Sequence, residues 1–472
     1  MHDGNVADQR FFLVGIGGSG MMPLAMILRG RGATVAGSDR GLDQGRVPAK
    51  FDALRALGID LFPQDGSGVT AADQIVVASA AVEETVADMV AATRLGCQRL
   101  SRAELNARLF NASALPIGVA GTSGKSTVTG MIAAILGAAG RDPTVMNGAV
   151  MKHVARADRP FASALVGQGD AYVSEVDESD GSIALYAPQV AVLNNVSLDH
   201  KSLDELNLLF GDFLAKAHHA LVNADNADAA TLALRLPPAR VTRFSLRDAG
   251  ADLYADGVEE APFAARFTLH HRGERRAVAL QVPGQHNVAN ALAAIGAALA
   301  AGVSLDAAVA GVEQFEGLRR RFDLVGSAAG VTVIDDFGHN PDKIAATLDT
   351  LHAFPGRLVV LFQPHGYGPL KVMRAELAAM FAGRLAADDL LVLPDPVYQG
   401  GTVTREVTSA DVVRDVGVAG RQAIHIPDRT SAAAHCVAVA KPGDRIVVMG
   451  ARDDTLSLLA AEMVAMLEAR SA

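Results

Sequence analysis

Two kinds of apolar pattern alternate along the chain. Short apolar runs predict buried strands, and longer Ala- and Leu-rich stretches with apolar positions three or four residues apart predict covering helices. This alternation predicts an α/β fold built on mostly parallel sheets. Residues 240–282 alternate more like antiparallel strands, and helices are predicted at 21–30 and 127–136 and from about 286 onward. The clearest strand candidates are 11–14, 34–39, 74–79, 115–120, 171–176, 190–195, 332–335, 358–362, 390–393 and 445–449.

The length of the chain predicts several domains. Its 472 residues are too many for one hydrophobic core. A small polar stretch at 111–114 and the segment Phe315-Glu316-Gly317 separate three groups of predicted elements. We therefore expect three domains: a Rossmann-like domain at 1–112, a central P-loop ATPase domain with a mostly parallel sheet at 113–316, and a second Rossmann-like domain at 317–472.

Composition and charge exclude several classes of protein. The net charge of −10 gives no basic surface for nucleic acid or anionic membranes. Cys97 and Cys436 match no metal-ligand spacing and are expected to be reduced core residues. The chain opens on a polar segment, and its longest apolar stretch, 288–303, is shorter than a membrane span. We expect a cytoplasmic protein that binds neither nucleic acid nor membrane.

The most informative motif is Gly121-Thr122-Ser123-Gly124-Lys125-Ser126, between a predicted strand and a predicted helix. A Gly-rich turn at this place directs backbone amides at one point, where the helix dipole also favours an anion. The lysine supplies a cation for the outer phosphates, and the following hydroxyl can bind Mg²⁺. The common P-loop has glycine where this chain has Val119. The motif predicts a nucleoside triphosphate site.

A second glycine motif, Gly15-Ile16-Gly17-Gly18-Ser19-Gly20, follows the first predicted strand. It predicts a ligand with a diphosphate, or else only close packing of a helix on a sheet. Asp39, after the next strand, could hold a ribose or cap the following segment. An NAD-dependent dehydrogenase would explain this motif but would leave Lys125 without a use.

Polar residues follow the strands beside the phosphate loop. Glu175 begins an acidic run, 175–180, at a strand end, where it and Ser126 could bind Mg²⁺. His200 comes after the next strand, in Asp199-His200, and could hold a second metal, orient a phosphate or be structural. Asn287 and Asn290 share one face of a predicted helix start and could reach one ligand, although Asn287 could instead cap that helix.

A basic run and an acidic pair open the third predicted domain. Residues 319–321 are three consecutive arginines, which either contact a transferring phosphoryl group or form a solvated basic run. Asp335 and Asp336 end a strand, at the sheet edge where ligands of α/β proteins bind.

In order and spacing, these motifs resemble the Mur ligase family, most closely its alanine-adding branch. The resemblance implies a UDP-binding first domain, a central ATPase domain and a third domain that recruits an amino acid. It implies that ATP phosphorylates the carboxylate of a UDP-N-acetylmuramate-like substrate to an acyl phosphate, which L-alanine or a related amine attacks. ATP and Mg²⁺ are the implied cofactors, small molecules are the implied partners, and the chain would act as a monomer or homodimer.

The resemblance also assigns roles to individual residues. Those implied for catalysis are Lys125, Glu175, His200, Arg321 and Asp336. Those implied to hold the metal are Ser126, Glu175 and His200. Those implied to bind the nucleotide are Gly121, Thr122, Ser123, Gly124, Lys125, Ser126, Thr127, Asn287, Asn290, Arg321, Asp336, His339 and Asn340. Those implied to bind the UDP moiety are Gly15, Gly17, Gly18, Ser19, Gly20, Asp39 and Ser79.

The chain departs from the alanine-adding pattern at several positions. That branch usually has histidine where Ser123 and Asn340 stand, and arginine where Gly366 stands. Asn194-Asn195 is closer to the murein-peptide ligase branch, which attaches a recycled tripeptide. The amine therefore stays open at this stage, and murein-peptide ligation or a Mur-like ligase for a non-cell-wall acid are the alternatives.

Overall fold

A computed structural model of the chain describes residues 5–80, 82–197, 201–397, 405–451 and 453–471. The fold divides into two compact units, Met1–Gly317 and Leu318–Ala472. The boundary predicted at 112/113 lies inside the first unit, and the domain limits remain predictions. Within the described ranges, every helix is too short or too polar to cross a bilayer.

The N-terminal sheet is entirely parallel. Its elements are β1 (Arg10–Val14), α1 (Met21–Gly30), β2 (Thr34–Ser38), α2 (Arg40–Asp43), α3 (Pro48–Ala56), β3 (Asp60–Phe62), β4 (Gln74–Ala78), α4 (Ala87–Leu95), β5 (Arg99–Ser101) and α5 (Arg102–Asn111). The strand order is β3-β2-β1-β4-β5. The order reverses beside β1, so a crevice opens at the carboxyl end of β1, where the first glycine motif begins. Residues 11–14 of β1 are fully buried because helices cover both faces of the sheet.

The central sheet has ten strands. Its elements are β6 (Leu115–Ala120), α6 (Lys125–Ala138), β7 (Thr144–Met146), β8 (Ala164–Leu165), β9 (Ala171–Glu175), β10 (Val190–Leu193), α7 (Leu203–Lys216), β11 (His219–Asn223), α8 (Ala227–Ala233), β12 (Val241–Ser245), β13 (Leu253–Ala261), β14 (Ala264–His271), β15 (Glu274–Leu280), α9 (Gln285–Ala300) and α10 (Leu305–Val312). Its strand order is β15-β14-β13-β12-β11-β10-β6-β9-β7-β8. Because β6 lies between β9 and β10, the segments that follow these three strands meet at one sheet edge.

The pairing in this sheet agrees with the expectation for residues 240–282 in part. Strands β13, β14 and β15 form antiparallel pairs, as expected. Strand β12, however, is parallel to both of its neighbours. The antiparallel hairpins thus extend a parallel sheet at the edge away from the phosphate loop.

A buried polar network joins the N-terminal helix α5 to the central sheet. Asn106 is fully buried, and its amide donates to Ser174 Oγ at 3.0 Å and to the Tyr186 hydroxyl at 2.8 Å. Its carbonyl accepts from the Tyr172 hydroxyl at 2.8 Å. A buried amide with all these bonds satisfied fixes one arrangement of helix and sheet. The first unit therefore carries both glycine motifs on one continuous body.

The second unit holds a six-stranded sheet. Its elements are β16 (Asp323–Ala328), β17 (Val331–Asp336), α11 (Pro341–His352), β18 (Leu358–Phe362), α12 (Tyr367–Arg384), β19 (Leu390–Leu393), α13 (Ser409–Val418), β20 (Gln422–His425), α14 (Arg429–Val439), β21 (Arg445–Met449) and α15 (Thr455–Ser471). The order is β16-β17-β21-β18-β19-β20. All pairs are parallel except that of the edge strand β16, which the sequence did not predict. Cys97 and Cys436 are both free and buried, which confirms their expected place in the core.

Candidate nucleotide-binding site

The loop between β6 and α6 depends on two glycines. Gly121 has φ +133° and Gly124 has φ +85°, conformations that residues with a side chain rarely adopt. A Cβ on Gly124 would lie 2.4 Å from Asn194 Nδ2, so no larger residue fits. Helix α6 begins directly after Gly124 and has no side-chain cap. Its first amides are therefore free of intrahelical partners and, with the helix dipole, can receive an anion.

Lys125 lies in this loop with two partners. Its Nζ donates to the Gly121 carbonyl at 2.7 Å and to Glu178 Oε2 at 2.8 Å. The Glu178 side chain is only 5% exposed and that of Lys125 is 17% exposed, so the ion pair is largely shielded from water. Glu178 could not be singled out from the sequence, because the acidic run 175–180 gives no means of telling which carboxylate faces the loop.

Ser126 and Glu175 meet beside Lys125, as the sequence predicted. The Ser126 hydroxyl donates to Glu175 Oε2 at 3.0 Å, and the amide of Gly148 donates to Oε1 of the same carboxylate. Asn147, fully buried, donates to the Ser126 carbonyl at 2.9 Å and holds the start of α6. The structure thus brings together a hydroxyl and a carboxylate, the hard oxygen donors that Mg²⁺ prefers.

A site for Mg²⁺ with phosphate needs few protein ligands. No group of three or more acidic, His or Cys side chains able to hold a metal occurs in the described ranges. One carboxylate and one hydroxyl nevertheless fit this ion, because phosphate oxygens and water complete its shell. His200, the third expected ligand, lies outside the described residues.

Asn287 and Asn290 belong to a row of amides that ends at the phosphate loop. Asn287 donates to the Pro283 carbonyl at 2.7 Å, and Asn290 donates to Asn287 Oδ1 at 3.1 Å. Asn194 then donates to Asn290 Oδ1 at 2.9 Å and to the Ser123 carbonyl at 3.1 Å. The alternative that Asn287 caps its helix was wrong, because Gly284 is the N-cap residue of α9. Both asparagines are buried and brace the loop from α9.

The Asp39 carboxylate binds the backbone of the N-terminal glycine motif. Its Oδ2 accepts from the Gly17 amide at 2.8 Å, and its Oδ1 accepts from the Gly41 amide at 2.7 Å as the N-cap of α2. Capping was one of the two roles expected for Asp39. Gly18 and Ser19 are exposed at the turn, and Gly20 is half-buried.

A cleft of about 360 Å³ runs between the end of this N-terminal sheet and the central sheet. Ala80, Arg102 and Asp180 are among its lining residues, and a Cβ on Gly20 would lie 2.9 Å from the Arg102 side chain. Arg102 thus extends from the glycine motif into the cleft. Ser79, expected at the UDP moiety, directly precedes the lining residue Ala80, and its carbonyl accepts from the Val82 amide at 3.0 Å.

In the second unit, Asp336 directly precedes Phe337 in the sequence, and Arg321 contacts the Phe337 ring. Asp336 accepts from the amides of Phe322 and Gly338, each at 2.8 Å, so its carboxylate pins the start of the unit to the end of β17. The Arg321 guanidinium lies 4.2 Å from the centre of the Phe337 ring, a cation–π contact. Burial raises the pKa of the neighbouring Asp335 to about 6, although Arg320 opposes this shift.

His339 and Asn340 follow on the same loop. His339 Nδ1 lies 3.0 Å from the Phe337 carbonyl, and burial, helped by the charge of Lys343, lowers the pKa of His339 to about 4. Asn340 caps α11 by accepting from the Lys343 amide at 3.0 Å. His339 is therefore a neutral imidazole near pH 7.

Comparisons with known proteins cover nearly all of the chain. Three family models match: "Mur ligase family, catalytic domain" at residues 11–114, "Mur ligase middle domain" at 119–298, and "Mur ligase, glutamate ligase domain" at 320–452. A UDP-N-acetylmuramate–L-alanine ligase of Mycobacterium sp. (strain JLS) is 35% identical, with 98% of this chain and 96% of the relative covered. One of Geobacter sp. (strain M21) is 36% identical, with 94% and 95% covered.

Solved structures agree on the fold. The UDP-N-acetylmuramate-alanine ligase MurC of Thermotoga maritima matches with a TM-score of 0.78 at 22% identity, covering 98% of this chain and 100% of that one. A murein peptide ligase of Psychrobacter arcticus matches with a TM-score of 0.73 at 24% identity, covering 98% and 99%. Together with the family models and the full-length relatives, these matches confirm the α/β architecture of three Mur ligase domains. The chain belongs to the Mur ligase family and is an ATP-dependent, amide-bond-forming ligase.

Proposed function

We propose that the chain uses Mg²⁺ and ATP to activate the carboxylate of UDP-N-acetylmuramate or a close analogue, and joins it to L-alanine or a related amine. The observation that carries this proposal is the arrangement of Lys125, Ser126 and Glu175 around the start of α6. The names of the full-length relatives, UDP-N-acetylmuramate–L-alanine ligases, support the choice of acid and amine. The pathway we propose is therefore peptidoglycan precursor synthesis, in the cytoplasm, where ATP and nucleotide-linked sugars are available.

The residues around the loop have separate tasks in this proposal. The outward-facing amides at the start of α6 receive the phosphates, and Lys125 places a cation beside the transferring phosphoryl group. Glu178 keeps the Lys125 side chain directed into the loop through their 2.8 Å contact. Because phosphoryl transfer is catalysed mainly by position and charge, no side chain needs to act as a nucleophile.

Ser126 and Glu175 would hold Mg²⁺, with His200 as a further predicted ligand. The ion, when bound, neutralises negative charge on the phosphate oxygens. The Gly148 amide and the Ser126 hydroxyl orient the Glu175 carboxylate before any ion arrives. An oriented carboxylate loses less conformational freedom on binding, which favours the bound geometry.

The acid would enter along the cleft beside the N-terminal glycine motif. The motif 15–20 and Asp39 would receive the diphosphate and ribose of the substrate. The cleft is lined by Arg102, which lies next to Gly20 of the motif, and by Asp180 of the acidic run. For the second unit, nucleotide contacts by Arg321, Asp336, His339 and Asn340 stay predictions from family resemblance. The same holds for Asn287 and Asn290, and for assembly as a monomer or homodimer.

The test is phosphate release from Mg·ATP with UDP-N-acetylmuramate and each common amino acid in turn. Release with L-alanine, glycine or serine, with the amide product seen by mass spectrometry, is the expected result. Parallel wells hold the tripeptide L-Ala-γ-D-Glu-meso-diaminopimelate as the amine. Release only with the tripeptide would overturn the alanine assignment in favour of murein-peptide ligation. No phosphate release in any well, with ATP binding intact, would mean that the chain acts on a different acid.

A further inference from the structure

A short segment after β10 is tied to the phosphate loop by side chains that each bind both the backbone N–H and the backbone C=O of one residue. Asn195 Oδ1 accepts from the Ser123 amide at 2.8 Å, and Asn195 Nδ2 donates to the Ser123 carbonyl at 3.1 Å. In return, Thr122 Oγ1 accepts from the Ser197 amide at 2.9 Å and donates to the Ser197 carbonyl at 3.2 Å. These four hydrogen bonds are part of the set that joins loop and segment.

These bonds decide which loop amides remain for a phosphate. The Ser123 amide is used by Asn195 Oδ1, and the Thr122 amide donates to the Asn195 carbonyl at 3.2 Å. Both were expected to bind the nucleotide, but their amide hydrogens point to Asn195 instead. The amides that follow, from Gly124 into the first turn of α6, are the ones that a helix start leaves without partners. Asn195 thus separates the anchored half of the loop from the half that can receive an anion.

The close approach of the two segments also explains Gly121. A Cβ on Gly121 would lie 3.1 Å from both the amide nitrogen and the carbonyl oxygen of Asn195, so the two backbones almost touch. Asn194, the preceding residue, also donates to the Ser123 carbonyl at 3.1 Å, which is the third hydrogen bond from a side chain of this segment to the backbone of Ser123. The N–H and the C=O of Ser123 are both held, so the φ and ψ angles of this residue cannot change without breaking these bonds.

We propose that Asn195 is a positioning residue for the nucleotide: by binding both the N–H and the C=O of Ser123 it fixes the φ and ψ angles of that residue, so that the following amides converge on the phosphates. The inference rests on the proposed ATP site and deepens it. Asn195 does not touch the phosphates in this account, because both its Oδ1 and its Nδ2 face Ser123. Its effect reaches ATP only through the loop.

The test compares Asn195→Ala and Asn195→Asp with the unmodified chain. Loss of the two hydrogen bonds should weaken binding of Mg·ADP by about tenfold or more, measured by calorimetry. Asn195→Asp keeps the size of the side chain but faces the Ser123 carbonyl with a second oxygen, so it should fail as well, without a cavity. In turnover, the KM for ATP should rise by a similar factor while the KM values for acid and amine stay within about twofold.

Asn226→Ala is the matched control. Asn226 holds the backbone of the neighbouring Val196 in the same manner: the Val196 amide donates to Oδ1 at 3.2 Å and Nδ2 donates to the Val196 carbonyl at 3.1 Å. Asn226 also caps α8. It bonds the segment on the side of α8, not the loop, so its loss should lower thermal stability but leave Mg·ADP affinity unchanged.

The outcomes separate the two proposals. If the unmodified chain binds no Mg·ADP, the ATP site itself is refuted. Suppose instead that the unmodified chain binds Mg·ADP. If both Asn195 variants are folded by circular dichroism and bind Mg·ADP equally well, the role of Asn195 is refuted. An equal loss in Asn226→Ala would also refute it, because the effect would then belong to the segment as a whole.

Discussion

The ion pair between Lys125 and Glu178 allows the contribution of Lys125 to stability to be measured apart from its contribution to catalysis. Its side chains are 17% and 5% exposed and the charged atoms are 2.8 Å apart. Removing one partner of a buried pair costs about 3–5 kcal/mol, because the other charge stays buried without compensation. Since Lys125 is partly open to solvent, we expect Lys125→Ala to lower the free energy of unfolding by about 3 kcal/mol.

The double variant Lys125→Ala with Glu178→Gln removes the stranded charge. It should recover about 2 kcal/mol or more of that loss, which a double-mutant cycle reports as coupling between the two sites. Ligation should nevertheless stay absent in both variants, because the cation for the phosphoryl group is gone. Glu178→Gln alone keeps the lysine, and we expect it to retain measurable turnover.

Urea denaturation and phosphate release measure the two effects independently. Arg55→Ala, which breaks an exposed ion pair with Asp52 at 2.9 Å, is the control and should cost less than about 0.5 kcal/mol. An unchanged urea midpoint in Lys125→Ala would mean that the buried pair does not form in solution. Restored ligation in the double variant would refute the phosphate role of Lys125.

Three further predictions concern other residues. Glu175→Gln should shift the Mg²⁺ titration of activity to higher concentrations as well as slow the reaction; an unchanged titration would count against a metal role. Gly124→Ala should lower ATP affinity by about tenfold or more, since its Cβ would lie 2.4 Å from Asn194 Nδ2. In the control Gly140→Ala, the new Cβ has nothing within 4 Å, and the positive φ should lower the free energy of unfolding by only about 1 kcal/mol. Equal ATP affinity in the two variants would contradict this prediction. Burial lowers the pKa of His153 to about 4. Between pH 6.5 and pH 4 this histidine is therefore protonated in the unfolded chain but neutral in the folded chain, so the free energy of unfolding falls by up to about 3 kcal/mol as the pH is lowered. His153→Phe should reduce this fall, measured as the difference between urea midpoints at pH 7 and pH 4.5, and an unaltered difference would rule the histidine out as its source.

The sequence predicted the elements whose signals are local. The strand before Gly121 and the helix that begins at Lys125 were predicted because apolar runs flank a glycine turn. The strand has the predicted ends, and the helix extends two residues further at each end than predicted. The pairing of Ser126 with Glu175 was also predictable, since neighbouring parallel strands end at one sheet edge. By contrast, the edge strand β16 escaped notice because its burial is intermittent and its pattern is weak.

Features that depend on distant residues could not be predicted. Nothing in the run 175–180 shows that Glu178 turns back to Lys125, because that depends on the path of the chain after β9. The hydrogen bonds between Asn195 and Ser123 join residues that are 72 positions apart in the sequence. An asparagine after a strand is also common in ordinary turns, so its type alone does not indicate this contact. The mutual bracing of loop and neighbouring segment emerges only when β6 and β10 lie side by side.

The central claim is that the acid is activated as an acyl phosphate, and isotope transfer tests it most directly. UDP-N-acetylmuramate labelled with ¹⁸O in its carboxylate is incubated with the chain, Mg·ATP and the amine that supports turnover. The account predicts that each phosphate released carries one oxygen from the carboxylate, since the bond formed to phosphorus keeps that oxygen when the amine displaces phosphate. Unlabelled phosphate accompanying amide formation would contradict the acyl phosphate and with it the assigned use of the loop around Lys125.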